Sequence, residues 1–207
     1  TVPFILRTTT ASLSQLDPAL NDSSHSLGAS WLYTLRRVTL PDPPGKAKET
    51  MGIQGSPSHG LAITPDGKVA YVAVMGSTRI AKIDLGTYAV SWINGVGLGP
   101  RHLVISPDGK FLFATLNKEG SVVKIDTATN QLVQRVHTSQ QPRSMAISKD
   151  GTAVYVVNYE SSTMSKLDTG DLHQLQSIPT GHHPIGITYD GATGRVWVAN
   201  YSGTIMV

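Results

Sequence analysis

Histidine and arginine are concentrated in the polar segments that separate one apolar repeat of this chain from the next. Four of the seven histidines lie in these segments, and Arg101 and Arg143 each follow a proline there. A guanidinium group matches a carboxylate or a phosphate, and an imidazole can hydrogen-bond or transfer a proton near neutral pH. We therefore predict a partly cationic pocket for a small anionic ligand, formed by His59, Arg101, His102, Arg143, His182 and His183, with Asn117, Asn158 and Tyr159 on the same face.

The same segments also suit a purely structural role. A proline beside an arginine or a histidine stiffens a turn, and buried polar side chains commonly bond to groups of a neighbouring repeat. In this interpretation the arginines and histidines tie the repeats together and bind no ligand. The sequence leaves both interpretations open.

A hydrolase is an alternative function, because a carboxylate and an imidazole can together supply acid–base catalysis. His102 with Glu119 or Glu160 could in this way open a lactone ring. Both glutamates lie in polar loops beside Gly or Ser, so we expect them to be solvated. No Ser-His-Asp motif and no phosphate-binding glycine loop occurs in the sequence. We therefore favour a protein that is not an enzyme and assign no catalytic residue.

A metal or a haem-type cofactor is a second alternative, because imidazole binds zinc, copper and iron. The available ligands are His59, His102 and either His182 or His183. They belong to separate repeats and show no local ligand spacing, and the chain contains no Cys-x-x-Cys-His motif for covalent haem attachment. Our first prediction is thus no metal and no cofactor, with haem as the alternative.

The elements that must position these residues recur at a fixed interval. Pro65-Asp66-Gly67 returns 42 residues later as Pro107-Asp108-Gly109, and again as Lys149-Asp150-Gly151. Each turn precedes an apolar run and then a Lys-Ile-Asp-type triplet. A period in the low forties with short β runs is typical of a β-propeller, one four-stranded blade per repeat. The sequence predicts an all-β propeller of antiparallel blades, with His59, Arg101 and Arg143 at equivalent positions around the mouth of the axial channel.

One blade can be derived in full from the second repeat. Its inner strand contains 103–105, its second strand 110–116, its third strand 121–125 and its outer strand 131–137. The second strand is apolar at nearly every position, as expected for a strand packed between neighbouring blades. We predict that the aspartates of the turns bond to local backbone amides and that the aromatic residues at one repeat position form the core between blades: Tyr71, Phe113, Tyr155 and Trp197.

The register extends to both ends of the chain. Residues 4–17 match 71–84, and Pro184 to Trp197 match Pro142 to Tyr155. We predict one domain over 1–207, with three whole and two partial blades and with loop insertions at 18–30 and 41–54. The ring is then incomplete, and we expect both ends to pair with further blades of the same protein or with another chain, since bare sheet edges are unfavourable.

Composition narrows the possible partners. The 207 residues carry a net charge of +3 without a basic run, which argues against nucleic acid, and no stretch reaches the roughly 20 apolar residues of a membrane helix. The absence of cysteine and the Ser-, Thr-, Asn- and Gly-rich loops suit an extracytoplasmic protein, either periplasmic, secreted or on the cell surface.

The repeats resemble those of the YVTN β-propeller family. The resemblance is carried by Ser106-Pro107-Asp108-Gly109-Lys110, Val154-Tyr155-Val156-Val157-Asn158 and Trp197-Val198-Ala199-Asn200. It covers about 58–207 closely and 1–57 weakly. It implies extracytoplasmic proteins such as surface-layer proteins, periplasmic binding propellers, lactonase-like proteins and relatives of the haem d1 domain of nitrite reductase. On this basis we expect a binding or surface-assembly module.

Overall fold

Four successive antiparallel sheets form the part of the protein that the computed structural model describes, residues 57–207, all within one compact unit of the chain, Ile53–Val207. Blade A contains β1 (Ser58–Ile63), β2 (Val69–Val74), β3 (Arg79–Asp84) and β4 (Val90–Ile93). Blade B contains β5 (Pro100–Ile105), β6 (Phe111–Leu116), β7 (Ser121–Asp126) and β8 (Leu132–His137). Blade C contains β9 (Pro142–Ile147), β10 (Ala153–Asn158), β11 (Thr163–Asp168) and β12 (Gln174–Pro179), and blade D contains β13 (Pro184–Asp190), β14 (Arg195–Asn200) and β15 (Ile205–Met206).

Each blade is a meander in which every strand pairs with the next one along the chain. No helix occurs within residues 57–207, so none there is long and apolar enough to cross a membrane. The predicted β-propeller blades are therefore confirmed, including the four strands of the second repeat. The insertions at 18–30 and 41–54 and the first partial blade lie outside the described residues, and the single-domain arrangement remains a prediction.

The core lies between the blades, on both faces of the second strands. In β6 the side chains of Leu112, Phe113 and Leu116 are all fully buried. Inner strands of neighbouring blades also contact one another, β1 with β5 and β5 with β9. Burial on both faces explains why the second strands lack the alternation of polar and apolar residues that a half-exposed strand shows.

At one end of the blades, which we call the turn end, lie the turns between first and second strands and between third and fourth strands. Asp108 accepts the backbone N–H of Lys110 at 3.1 Å, and Asp126 accepts those of Ala128 and Thr129 at 3.0 and 2.8 Å. The predicted structural role of these aspartates is confirmed. Gly109 has a φ of 74°, a left-handed conformation that explains glycine at this turn position.

Lysines of the Lys-Ile-Asp-type triplets link adjacent blades at the turn end. Lys82 of blade A donates to the Thr127 carbonyl (3.1 Å) and to Asn130 Oδ1 (2.8 Å) of blade B. Lys124 of blade B donates to the Thr169 and Gly170 carbonyls of blade C at 2.7 and 2.8 Å. Lys124 is buried, and its ammonium lies 4.0 Å from the centre of the Phe111 ring. These are satisfied cations.

Blade D differs from the blades before it in the exposure of its apolar residues. Trp197 is 41% exposed, whereas Tyr71 and Phe113 at the same repeat position are 1% and 0% exposed. Ile205 and Val207 are exposed as well. The prediction that the repeated aromatic residues are core between blades therefore holds for Tyr71 and Phe113, and Trp197 departs from it within the described residues.

Candidate functional site

The opposite end of the blades, which we call the connection end, carries the links from one blade to the next and the loops between second and third strands. The residue before the first proline of each new blade is left-handed there: Gly99, Gln141 and His183 have φ values of 72°, 52° and 53°. This conformation is costly for residues other than glycine and persists only where the surroundings enforce it. The links are thus held in one shape, and they present the residue that follows each proline.

Arg101 lies at the start of β5, one residue after Pro100. Its Nη1 donates to the thioether sulfur of Met75 in blade A at 3.3 Å, and its Nε is buried without a hydrogen-bond partner among the described residues. Burial, reinforced by the charge of Arg143, lowers the pKa of Arg101 from its usual value. Arg101 is therefore a half-buried cation whose donors are incompletely used.

Arg143 occupies the equivalent position at the start of β9. Its guanidinium carbon lies 3.6 Å from the centre of the Tyr159 ring, and its Nε is also buried without a partner among residues 57–207. The Tyr159 ring in turn stacks on His183, with 4.4 Å between ring centres and 14° between planes. Arg143, Tyr159 and His183 thus form one stacked group of a cation and two rings.

The two histidines nearest these arginines are held in the neutral form. Burial and the neighbouring guanidinium groups of Arg101 and Arg143 lower the pKa of His59, which lies in β1. Burial, with the charges of His59 and Arg101, lowers the pKa of His102 to about 4. His102 Nδ1 accepts the backbone N–H of Met145 at 3.3 Å, so a neutral ring carries its proton on Nε2. Burial is the larger cause of both shifts, and the neighbouring positive charges act in the same direction.

Neither arginine is neutralised within the part of the chain that the structure describes. The ion pairs found in residues 57–207 involve other residues, and no carboxylate pairs with Arg101 or Arg143 there. We call Arg101 and Arg143, together with the neutral His59 at the equivalent position, the cationic arc. It has one member from each of blades A, B and C, and Ile185 occupies the equivalent position in blade D, 37% exposed.

The hydrogen bonds of two residues predicted to bind ligand, Asn158 and Asn117, fit the alternative role as structural ties. Asn158 is fully buried, and its amide donates to Thr163 and Ser165 while its oxygen accepts from Thr138, at 3.0 to 3.1 Å. The amide of Asn117 points to the Pro142 carbonyl at 3.4 Å. These contacts favour a structural role for Asn158 in particular, because its hydrogen-bonding groups are already occupied.

Within residues 57–207, no hydrogen bond or ion pair joins His102 to Glu119 or Glu160, the carboxylates proposed for catalysis. Glu119 forms an ion pair with Arg135 at 2.7 Å and accepts the Leu98 backbone N–H. Glu119 was expected to be solvated; that expectation is wrong, because the glutamate joins the link before blade B to the third and fourth strands of that blade. Glu160 is exposed, as expected, and so is His182, whose ring meets that of His183 edge-on at 6.3 Å.

The histidines considered as metal ligands do not form a close group among the described residues. The group that is close enough to hold an ion in 57–207 is Asp168, Asp171 and His173, within 4.8 Å at the turn end. Its members are engaged locally, His173 Nδ1 with Asp171 at 2.6 Å and Asp168 with the Gly170 N–H at 2.6 Å. These local hydrogen bonds are those of a turn, and they explain why the three side chains lie close together.

Two residues of the site were missed by sequence reasoning. Met75 anchors Arg101, and Thr115 links two inner strands by accepting the His102 N–H at 3.0 Å and donating to the Arg143 carbonyl at 3.2 Å. The register held a signal for Met75, because it stands at the repeat position of Asn117 and Tyr159, two predicted site residues. Nothing in the sequence distinguished Thr115 from the apolar residues around it.

Comparison with known proteins assigns the family. The Cytochrome D1 heme domain family matches residues 66–201, well over half of the chain. The chain belongs to this family. The family is one of β-propellers, which agrees with the fold predicted from the repeat. The finer assignment to the YVTN repeats remains a prediction.

A solved structure supports the same fold. The chain is similar to hydrazine synthase of Kuenenia stuttgartiensis, with a TM-score of 0.66 and 20% identity over 74% of this chain. The match spans 46% of the hydrazine synthase chain, a little under half of its length. No curated protein sequence matches the chain. At this identity the likeness concerns the fold and carries no information on activity.

Proposed function

We propose that this chain is the ligand-binding part of an extracytoplasmic β-propeller, and that its cationic arc binds a carboxylate-bearing ligand of the haem type. One observation carries the proposal. Arg101 and Arg143 each keep a buried Nε without a partner, and no carboxylate pairs with either within residues 57–207. Buried polar groups normally have partners, so an unused pair of guanidinium groups is best explained by an acceptor that a ligand brings.

The electrostatics support an anion with more than one carboxylate. The two arginines repel each other, since Arg143 lowers the pKa of Arg101, and partial burial makes each charge costly. A ligand that places one carboxylate on each guanidinium would relieve both costs. The neighbouring Tyr159 ring and the Ile185 side chain add an aromatic and an apolar surface on the side of blades C and D.

The residues present fit a haem-type group. Two guanidinium groups would hold its acidic side chains, and Tyr159 would contact its ring. His59 is exposed and its lowered pKa favours the neutral imidazole that an iron ligand must be, and His182 is also exposed. His102 fits less well, because its Nδ1 accepts a backbone N–H and its Nε2 therefore carries the proton. When bound, such a group supplies a redox-active iron.

The family match favours haem over our first prediction of no cofactor. The lactonase-like alternative finds less support, because Glu119 is occupied by Arg135 and Leu98. An extracytoplasmic location rests on the YVTN resemblance and on the lack of cysteine. The binding-module interpretation and the haem alternative thus converge on the same residues.

We further propose that the free face of blade D packs against another blade, from the same protein or from another chain. Its support is the exposure of Trp197 and Ile205, compared with the burial of Tyr71 and Phe113 by the blade that follows each of them. Sheet faces of this kind are normally covered. Crosslinking through the Trp197→Cys variant would test this contact, and a failure to crosslink to any other blade would contradict it.

Titration with porphyrins tests the ligand. We expect iron protoporphyrin to bind the purified protein with a shifted Soret band, and metal-free protoporphyrin to bind as well, because both carry two carboxylates. Arg143→Gln should weaken both about tenfold, the size of one charge-assisted hydrogen bond. Arg195→Gln is the matched control, since Arg195 lies at the exposed start of β14, and it should leave binding unchanged.

The outcomes separate the parts of the proposal. Binding of the esterified porphyrin, which lacks free carboxylates, as tightly as the acid would remove the role of the arginines. Binding of a polycarboxylate such as citrate without any porphyrin would keep an anion site and rule out haem. If the protein binds none of these porphyrins and does not bind citrate, the proposed function is wrong.

A further inference from the structure

The anchor of Arg101 is a thioether and not a carboxylate. Arg101 Nη1 donates to Met75 Sδ at 3.3 Å, across the interface between blades A and B. A thioether is a weak acceptor without charge. It orients the guanidinium and leaves its positive charge available to a ligand.

Met75 is partly exposed to solvent. It lies in the loop after β2 and is half-buried, whereas Met145 and Met164 are 2% and 8% exposed. Met206 is 38% exposed, and its sulfur accepts the Gly181 N–H at 3.1 Å, far from the cationic arc in sequence and without an arginine. Among the described methionines, Met75 alone contacts a guanidinium group.

We infer that Met75 is an oxidation site that controls the availability of Arg101; the effect on ligand binding rests on the proposed function. A lone pair of the sulfur attacks one oxygen of a peroxide, and the O–O bond breaks. The sulfur is oxidised to a sulfoxide: with hydrogen peroxide the other oxygen leaves as hydroxide, takes the proton from the oxygen now bound to sulfur, and departs as water. The second lone pair of the sulfur serves this attack while the first accepts the Arg101 N–H.

Oxidation changes the strength of the anchor. A sulfoxide oxygen is a polar acceptor, so it forms a charge-assisted hydrogen bond with the guanidinium that a thioether cannot match. Arg101 is then held by the protein itself and is less available to a carboxylate. Ligand affinity falls as a result, and reduction of the sulfoxide restores it, since this step of methionine oxidation is reversible by dedicated reductases.

The test oxidises the purified protein with hydrogen peroxide, removes the peroxide, and maps the added oxygen by peptide mass spectrometry. We expect Met75 and Met206 to be oxidised well before Met145 and Met164. Metal-free protoporphyrin is then titrated by fluorescence, and its affinity should fall about tenfold, the value of one charge-assisted hydrogen bond. The affinity of Met75→Leu for protoporphyrin should be the same before and after peroxide treatment. The affinity of Met206→Leu should fall on peroxide treatment as much as that of the parent protein.

A ligand-free readout keeps the inference separate from the proposed function. Met75→Gln places a carbonyl oxygen where the sulfoxide oxygen would be. It should raise the melting temperature in the parent protein and leave it unchanged in an Arg101→Gln background. If Met75→Gln changes the melting temperature equally in both backgrounds, the two residues are not coupled and the inference is wrong, whatever the protein binds. If the melting temperatures show coupling but no porphyrin binds, the proposed function is wrong and so is the control of ligand binding. The link between Met75 oxidation and Arg101 would still hold in that case.

Discussion

Lys124 at the turn end and Arg101 at the connection end are both cations held between packed blades, and their partners differ. The Lys124 ammonium has two carbonyl acceptors at 2.7 and 2.8 Å and an aromatic ring at 4.0 Å. The Arg101 guanidinium has a thioether at 3.3 Å and a buried Nε without a partner within residues 57–207. Lys82 and Arg143 differ in the same way: Lys82 has two oxygen acceptors, whereas Arg143 has a buried Nε without a partner within residues 57–207.

The number of acceptors around a buried cation indicates whether it serves stability or ligand binding. A buried cation with a full set of acceptors offsets its desolvation and holds two blades together, whereas one with unused donors costs stability. A fold retains such a cost where the missing acceptor comes from outside. The comparison therefore fits adhesion between blades at the turn end and the proposed ligand binding at the connection end, and substitutions at the two ends should change stability with opposite sign.

The largest effect is expected at Lys124. Lys124→Met keeps most of the side-chain volume and removes the donor from the Thr169 and Gly170 carbonyls. We expect the free energy of unfolding, measured in urea, to fall by about 3 kcal/mol, because two part-buried carbonyls lose a charged donor. Lys68→Met is the control, since its side chain is 79% exposed, and should change stability by less than about 0.5 kcal/mol. Equal effects of the two substitutions would break the comparison.

Acid should weaken the connection end. The pKa of His102 is about 4 in the folded protein and near 6.5 in the unfolded chain. Between these values the unfolded state binds a proton that the folded state does not, so stability is complete above about pH 6.5 and declines as the pH falls towards 4. We expect a loss of about 2 kcal/mol over this window.

His102→Asn isolates that contribution. The asparagine oxygen can accept the Met145 N–H in place of Nδ1 but does not titrate, so the pH dependence of unfolding should flatten. His59 acts in the same direction, since its pKa is also lowered, and would leave a residual slope. The same slope in His102→Asn as in the parent protein would assign the acid sensitivity to other groups.

The smallest effect is expected at Arg143, and its sign is the opposite of that at Lys124. Arg143→Ile introduces the residue that blade D has at the same repeat position, Ile185. Without ligand, we expect the melting temperature to stay the same or to rise by an amount equivalent to less than about 1 kcal/mol, because an incompletely satisfied cation is removed. A clear loss of stability would show that Arg143 is a structural tie and would favour the alternative that the sequence left open.

The sequence predicted the blades because their signals are local. Asp108 and Gly109 fix a turn through contacts within a few residues, and a fixed register then places the strands. The connection end was predictable only as a set of residues, since Arg101 meets Met75 across 26 positions and Glu119 meets Leu98 across 21. No local spacing encodes such contacts, and the role of each side chain depended on which neighbour it met.

Asn158 illustrates what the sequence alone could not show. Its place at the end of β10, next to a predicted site loop, suggested that its amide faced the ligand. The strand ends with this side chain turned into the blade, where Thr138, Thr163 and Ser165 occupy its polar atoms. A shift of one position along a strand reverses the face, and the next residue, Tyr159, belongs to the site.

The lysine links also give the molecule a direction. Lys82 of blade A reaches into blade B, and Lys124 of blade B reaches into blade C, so each link depends on the folded turn of the blade that follows. Such an array behaves as a one-dimensional cooperative chain with nearest-neighbour couplings. Melting of the 169–170 turn therefore strips the acceptors from a lysine in the preceding blade and leaves its buried ammonium without them.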